Sequence, residues 1–291
     1  MRDESPSRTA AAVAVARGLA ELLPPEAQLA RDPYGAAFSY RGVREHLGKL
    51  RPLAETRVMK AWILYMQVRT RVIDDALRAF LAAGGRQVVL LGAGYDTRAL
   101  RLPELADATI LEVDHPATQG RKRSVLAQLG AASPSHYVTW DFETRAMEDL
   151  PDVLEESGLD RSQPVFTIWE GVTMYLTEAA IDASLRAIRA WSPAGSKLAM
   201  TYFVKTRIAQ PSLVTRMAKA VVATFGEPWR FGWDPAELPA YLEARGFKLE
   251  RDVAIAEAAR VLLPAELAAL IKDPGRRFSL ASAPEAIGLA S

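Results

Sequence analysis

Five short apolar runs, separated by stretches of helical periodicity, constrain what this chain can fold into more than any other feature. The run Gln87-Val-Val-Leu-Leu91 shows no polar–apolar alternation, which suits a strand covered on both faces, as in a parallel sheet. Similar runs stand at 108–113, 136–140, 165–169 and 197–203. Helical stretches at 119–129, 147–156 and 178–190 lie between them. Strand–helix alternation at this spacing predicts an α/β fold with a doubly wound parallel sheet. Residues 235–245 read as one more helix, and 247–253 and 277–283 as two final strands.

Before the first strand the pattern is helical. Residues 55–83 carry Val58, Ile63, Leu64, Val68, Val72, Ile73, Leu77 and Leu81 at helical spacing, and Gly84-Gly85 supplies the stop. A shorter helix ends at Pro24-Pro25. We therefore expect a helical N-terminal cap over 1–85 on a core over 86–291, the two forming one compact unit. Residues 204–233 break the rhythm with Pro211, Phe225, Pro228, Trp229, Phe231 and Trp233. They read as a lid inserted after the fifth strand, over the carboxyl edge where such sheets bind ligands.

Composition removes several kinds of chemistry. The chain has no cysteine, so it can use neither a thiol nucleophile nor a cysteine metal site. Its three histidines, His46, His115 and His136, lack metal-ligand spacing, and no metal is expected. The formal net charge is +1, from 36 basic and 35 acidic residues. A balance like this gives no general pull toward nucleic acid or an anionic membrane. The apolar stretch 9–23 is broken by Arg17 and Glu21 and is too short to span a bilayer. Nothing before it reads as a cleavable leader, so a cytoplasmic location is expected. The expected partner is a small-molecule acceptor, with a homodimer left open.

The chemistry gathers where strands end. Leu91-Gly92-Ala93-Gly94 places two glycines just after a buried strand, allowing a sharp turn and close approach of the backbone to a ligand. The third glycine of a dinucleotide fingerprint would fall at Thr97, so a nucleoside without a pyrophosphate fits better. About 20 residues on, Glu112-Val113-Asp114 closes the next strand, where an acid grips ribose hydroxyls. Glu112 and Asp114 point to the same side; Asp114, nearer the carboxyl end, is preferred. Asp141 and Phe142 follow the third strand, as an acceptor for an adenine amino group and a ring to pack on the base. Glu170 follows the fourth, placed for an ammonium or a sulfonium. Four such strand ends point to S-adenosylmethionine, with S-adenosylhomocysteine as product, rather than to a nicotinamide dinucleotide.

These segments resemble the leucine carboxyl methyltransferase family, and within it a bacterial branch acting on small molecules. The matching stretches are Arg69-Thr-Arg71 with Asp74-Asp75, Gly92 to Arg98, Glu112 to Pro116 and Trp169 to Leu176, with Ser7-Arg-Thr9 and Asp32-Pro-Tyr34 further toward the start. The resemblance implies a Rossmann-like class I methyltransferase with a seven-stranded, mostly parallel sheet and helical elements capping the site. It also implies an arginine before the first strand that pairs with the cofactor carboxylate. Arg71 is the best match, with Arg69 as its neighbour; the plainer reading of Arg71 is an exposed helix residue paired to Asp74 or Asp75. Gly92, Gly94, Asp114, Asp141, Phe142 and Glu170 complete the expected cofactor set.

Transfer from a sulfonium rests on alignment of donor and acceptor, and a base is needed only where the acceptor is not already ionised. Tyr202, Arg207 and His46 are the candidates to orient or deprotonate an acceptor oxygen. The scarcity of bases favours a carboxylate, or an acidic phenol or enol, such as occurs in a polyketide or other secondary metabolite. Three alternatives stay open on sequence: a protein C-terminus as acceptor, a nicotinamide-dependent oxidoreductase, and a non-catalytic cofactor-binding protein.

Overall fold

A computed structural model describes residues 5–40, 48–209 and 229–285. Its centre is a seven-stranded sheet in the order β3-β2-β1-β4-β5-β7-β6. The strands are β1 (Gln87–Leu91), β2 (Thr109–Asp114), β3 (His136–Thr139), β4 (Val165–Trp169), β5 (Lys197–Phe203), β6 (Lys248–Ala254) and β7 (Arg276–Ser282). The first five are mutually parallel, whereas β7 runs antiparallel to both β5 and β6. The order reverses between β1 and β4, and that switch point opens the crevice used for ligands in doubly wound sheets.

β1 and β4 are buried at every position, as unalternated apolar runs require. Helices cover both faces. On one side are α1 (Arg8–Gly18), α2 (Arg51–Ala54), α3 (Arg57–Ala82), α4 (Arg98–Arg101) and α5 (Pro116–Gln128). Ile63, Val68, Ile73 and Leu77 of α3 share a core with Val88, Leu90, Ile110 and Phe166. On the other face α6 (Leu150–Glu156) and α7 (Glu178–Ala190) pack through Leu154, Leu185 and Ile188 on Val89, Val113 and Trp169. A short α8 (Lys205–Ala209) follows β5, and α9 (Leu238–Glu243) precedes β6.

The connection between the last two strands holds two helices that hydrophobic periodicity did not suggest, α10 (Ile255–Leu262) and α11 (Ala265–Ala268). α10 begins after Ala254, a residue with no capping oxygen. Its start is closed instead by Glu257, which accepts from the Ala254 N–H at 3.2 Å. Of the expected lid, residues 204–209 and 229–233 are described, and they meet in a parallel bridge between Val204 and Trp233. Among the described residues no helix is long and apolar enough to cross a membrane.

Candidate active site

The turn after β1 is shaped by Gly92 and Gly94, with φ of +72° and +52°, a region that side chains on Cβ disfavour. Space is short as well. A Cβ on Gly92 would stand 2.6 Å from Cγ2 of Val172, and one on Gly94 would stand 3.1 Å from Cβ of Ala10. The N–H groups of Gly92 and Ala93 both donate to the Val113 carbonyl, at 2.9 and 3.1 Å. The turn is thereby stitched to the end of β2, directly beside Asp114.

Asp114 is buried and takes two backbone donors, Gly94 N–H on Oδ2 and His115 N–H on Oδ1. Burial nonetheless dominates and pushes its carboxyl up to about 6, against the lowering effect of those two bonds. Glu112, on the same side of the strand, is engaged elsewhere: one oxygen meets Lys122 and the other accepts from Ser135 Oγ at 2.8 Å. Both Glu112 and Lys122 are fully buried. Glu112 is thus a structural pair, leaving Asp114 as the carboxylate of β2 at the crevice.

On the other side of the turn, three arginines interlock with three carboxylates. Arg98 donates from Nε to Asp74 at 2.7 Å and from Nη1 to Glu170 at 2.9 Å, and it also pairs with Asp96. Arg101 grips Asp74 with two nitrogens, at 2.6 and 2.9 Å. Arg69 Nε lies 2.7 Å from Glu170 Oε1. Formal charges cancel within the group, which is how three buried ions, Arg69, Asp74 and Arg98, and three half-buried ones, Asp96, Arg101 and Glu170, are tolerated together. Burial opposes ionisation of Glu170, but Arg69 and Arg98 outweigh it and hold its carboxyl below the usual range. Asp96 is lowered in the same way, mainly by Arg98.

Arg71 is not brought to this site. It is 38% exposed and pairs with Asp75 at 2.7 Å on the outer face of α3; the arginine turned inward is Arg69. Helical spacing distinguishes them. Arg69 continues the buried positions Met66, Ile73 and Leu77, whereas Arg71 continues Asp75 and Arg78. Arg98 and its partners Asp74 and Asp96 stood within the motif segments without being singled out. Their pairing joins α3 to α4 across the fold and leaves no local pattern.

Asp141 and Phe142 lie in the loop after β3. Asp141 accepts from the Glu143 N–H at 3.0 Å; that bond and one from the Thr144 hydroxyl hold its carboxyl below the ordinary value. Phe142 is exposed. Tyr202, expected near the crevice, faces the opposite side of the sheet. Its hydroxyl donates to Asp252 Oδ2 at 3.0 Å, and its ring meets Trp233 edge-on at 5.5 Å. Strand alternation explains this. Thr201 takes the inner position instead, accepting from Gly171 N–H at 2.8 Å and fixing the chain just after Glu170. Arg207 is buried in α8, ion-paired with Asp273 and lying over Phe203 and Trp229. His46 lies outside the described residues. The lid aromatics divide, Trp229 joining Phe203 and Met174, and Phe231 and Trp233 packing with Tyr241 on the far face.

One contributor was not anticipated. Arg17 of α1 donates to the Tyr95 carbonyl at 2.6 Å and to Asp32 at 2.9 Å, and both it and Asp32 are buried. The N-terminal helix therefore holds the turn from outside.

The leucine carboxyl methyltransferase family model matches residues 10–189. A protein of Frankia alni, provisionally named an S-adenosyl-L-methionine-dependent methyltransferase, is 37% identical over 195 residues, covering 66% of this chain and 68% of that one. Another with that provisional name, from Mycobacteroides abscessus, is 35% identical over 221 residues, covering 75% and 70%. Two solved structures share the fold at 20% identity and a TM-score of 0.59. One is a DUF574-family protein of Streptomyces avermitilis, with 92% and 97% of the two chains covered. The other, from Thermobifida fusca, is titled provisionally as a methyltransferase, with 97% and 96% covered. Most of the motif segments lie inside the matched region, including the glycine turn, Asp114 and Glu170. The chain belongs to the leucine carboxyl methyltransferase family.

Proposed function

We propose that this protein transfers the methyl group of S-adenosylmethionine to an oxygen of a small molecule, a carboxylate or an acidic phenol or enol. Membership of the family makes it an S-adenosylmethionine-dependent methyltransferase, and the proposal concerns the acceptor and the residues in play. The observation that carries the reading is the turn 92–98, which joins Asp114 on one side to the Glu170 group on the other.

The site fits the cofactor. The positive φ of Gly92 and Gly94 shapes the turn that brings backbone to Asp114. Asp114 offers acceptor oxygens for a vicinal diol. Arg98 Nη2 is buried without a hydrogen-bond partner among the described residues, a vacant donor that suits the carboxylate of the amino-acid part. Arg69 belongs with it, and Glu170 supplies negative charge for the ammonium. Bound there, the cofactor supplies an electrophilic methyl group. The chain's own contribution is to orient donor and acceptor and to exclude water.

The acceptor class follows from the side chains at hand. Tyr202 is committed to Asp252, and burial together with that carboxylate raises its hydroxyl far above neutrality, so it is no base. His115 accepts the Ala117 N–H on Nδ1 as the cap of α5. An acceptor ionised at neutral pH needs neither. The test is incubation with methyl-labelled S-adenosylmethionine and a panel of aromatic carboxylates and phenols, followed by mild base. The reading expects label in an extractable product, released by base where the product is an ester. Label passing only to peptides ending in leucine would replace it with a protein acceptor.

A further inference from the structure

The pair Asp74-Asp75 belongs to the sequence motif around Arg69, and helical spacing sends its two carboxylates to different sides of α3. Asp75 faces outward and pairs with Arg71 and Arg78. Asp74 is buried, and its carboxylate meets Arg98 and Arg101 of α4. Of these two, Arg98 is the one placed to touch the cofactor, so any influence of Asp74 on the ligand passes through that side chain.

A guanidinium carries five N–H donors in one plane, shared among Nε, Nη1 and Nη2. In Arg98, Nε is taken by Asp74 at 2.7 Å, and Nη1 by Glu170 at 2.9 Å and by Asp96. Nη2 is left over, buried and without a hydrogen-bond partner among the described residues. Asp74 is itself gripped from a second direction. Arg101 donates from Nη1 to Oδ2 at 2.6 Å and from Nη2 to Oδ1 at 2.9 Å, which fixes both carboxylate oxygens. With Asp74 removed, Nε would lose its partner. The planar fork could then turn its paired Nε and Nη2 edge onto Glu170 or Asp96, the two-point geometry that arginine and carboxylate favour, and the vacant donor would be consumed. Charge alone argues the other way, because the negative charge of Asp74 weakens the pull of Arg98 on any anion. The arrangement therefore sacrifices attraction for direction.

We propose that Asp74, braced by Arg101, is a positioning residue that aims Nη2 of Arg98 at the carboxylate of the cofactor's amino-acid part, and so makes the site select ligands that carry this carboxylate. The inference rests on the cofactor reading above and adds the residue that sets the direction of its arginine.

The test is calorimetric titration with S-adenosylhomocysteine and with its decarboxylated analogue, which keeps the adenine, ribose, thioether and amine. Wild type is expected to prefer S-adenosylhomocysteine by about tenfold or more, the scale of one hydrogen bond between charged groups. Asp74→Asn is expected to remove most of that preference while leaving affinity for the analogue nearly unchanged. A purely structural role would lower both affinities together, and a purely electrostatic one would raise the preference, since a negative charge beside Arg98 is gone. Either result overturns the proposal. Arg101→Lys keeps the charge but replaces a two-nitrogen grip by a single ammonium, and it is expected to lose part of the preference. It serves if Asp74→Asn does not fold, and an undiminished preference in it also counts against the proposal. Equal binding of the two ligands by wild type overturns the aim of Arg98 while leaving Asp114 and its turn as cofactor groups. Binding of neither ligand strikes the cofactor site itself, and the proposal with it.

Discussion

Asp114 is held in tension between burial, which pushes its carboxyl up to about 6, and the two backbone donors that favour its charge. The ionised form accepts hydrogen bonds from both hydroxyls of a diol, so cofactor affinity should be full above pH 6. Below that value protonation competes, and affinity should fall by up to about tenfold per pH unit. Titration calorimetry from pH 5 to 8 would show it; in Asp114→Asn the dependence should vanish along with most of the affinity. A pH-independent wild type would place the ribose elsewhere. Arg69 and Arg71 make a matched pair at the same scale. Arg69→Gln leaves Glu170 with one buried partner fewer and should cost about 3 kcal/mol of stability, together with cofactor affinity. Arg71→Gln breaks an exposed pair on α3 and should cost under about 1 kcal/mol. Denaturant melts of the two variants, with and without S-adenosylhomocysteine, check both.

At the scale of elements, the turn after β1 depends on glycine and on its neighbours. Gly92→Ala forces a side chain into positive φ and against Val172, and should destabilise by roughly 1–3 kcal/mol. Adding Val172→Ala should restore the part due to overlap and not the part due to backbone; a double-mutant cycle with no coupling would refute that account. Helix α1 is tied to the turn by Arg17, so Arg17→Met should cost about 3 kcal/mol by leaving Asp32 buried without its cation. It should also weaken cofactor binding more than a cut in α9, on the far face, would. What could be seen in sequence at this scale follows from how local each signal is. β1, β4, β5 and α7 match the expected spans because buried runs and helical periodicity are written within a few residues. α10 was missed because it spans only eight residues and its cap comes from Glu257 rather than from a preceding Ser, Thr or Asp. Strand ends carrying Asp114 and Glu170 were legible. The inward turn of Arg69 could be read only by setting it against the buried stripe of α3. The facing of Tyr202 away from the crevice required the strand alternation to be counted from residues packed on known sides.

Across the whole molecule, charge is sorted by depth and by sign. The total is near neutral, and among the described residues three arginines meet three carboxylates around Glu170 at the carboxyl ends of the strands. The fold supplies that arrangement from distant parts of the chain: α3 before the sheet, the turn after β1 with α4, and the end of β4. This is why the sequence motifs point to the proposed cofactor crevice more readily than to the packing around it. Asp114 and Glu170 sit at the ends of single strands, whereas Arg69 and Arg98 reach Glu170 only through packing of α3 and α4.

The central claim is that the turn 92–98, with Asp114 and the Arg69–Glu170–Arg98 group, forms the S-adenosylmethionine site. Calorimetric titration of wild type and Asp114→Ala with S-adenosylhomocysteine tests it most directly. The account predicts single-site binding by wild type, weakened in Asp114→Ala by about 10- to 100-fold, the worth of one or two hydrogen bonds to a charged acceptor. Wild-type affinity retained in full by a folded Asp114→Ala variant would contradict it.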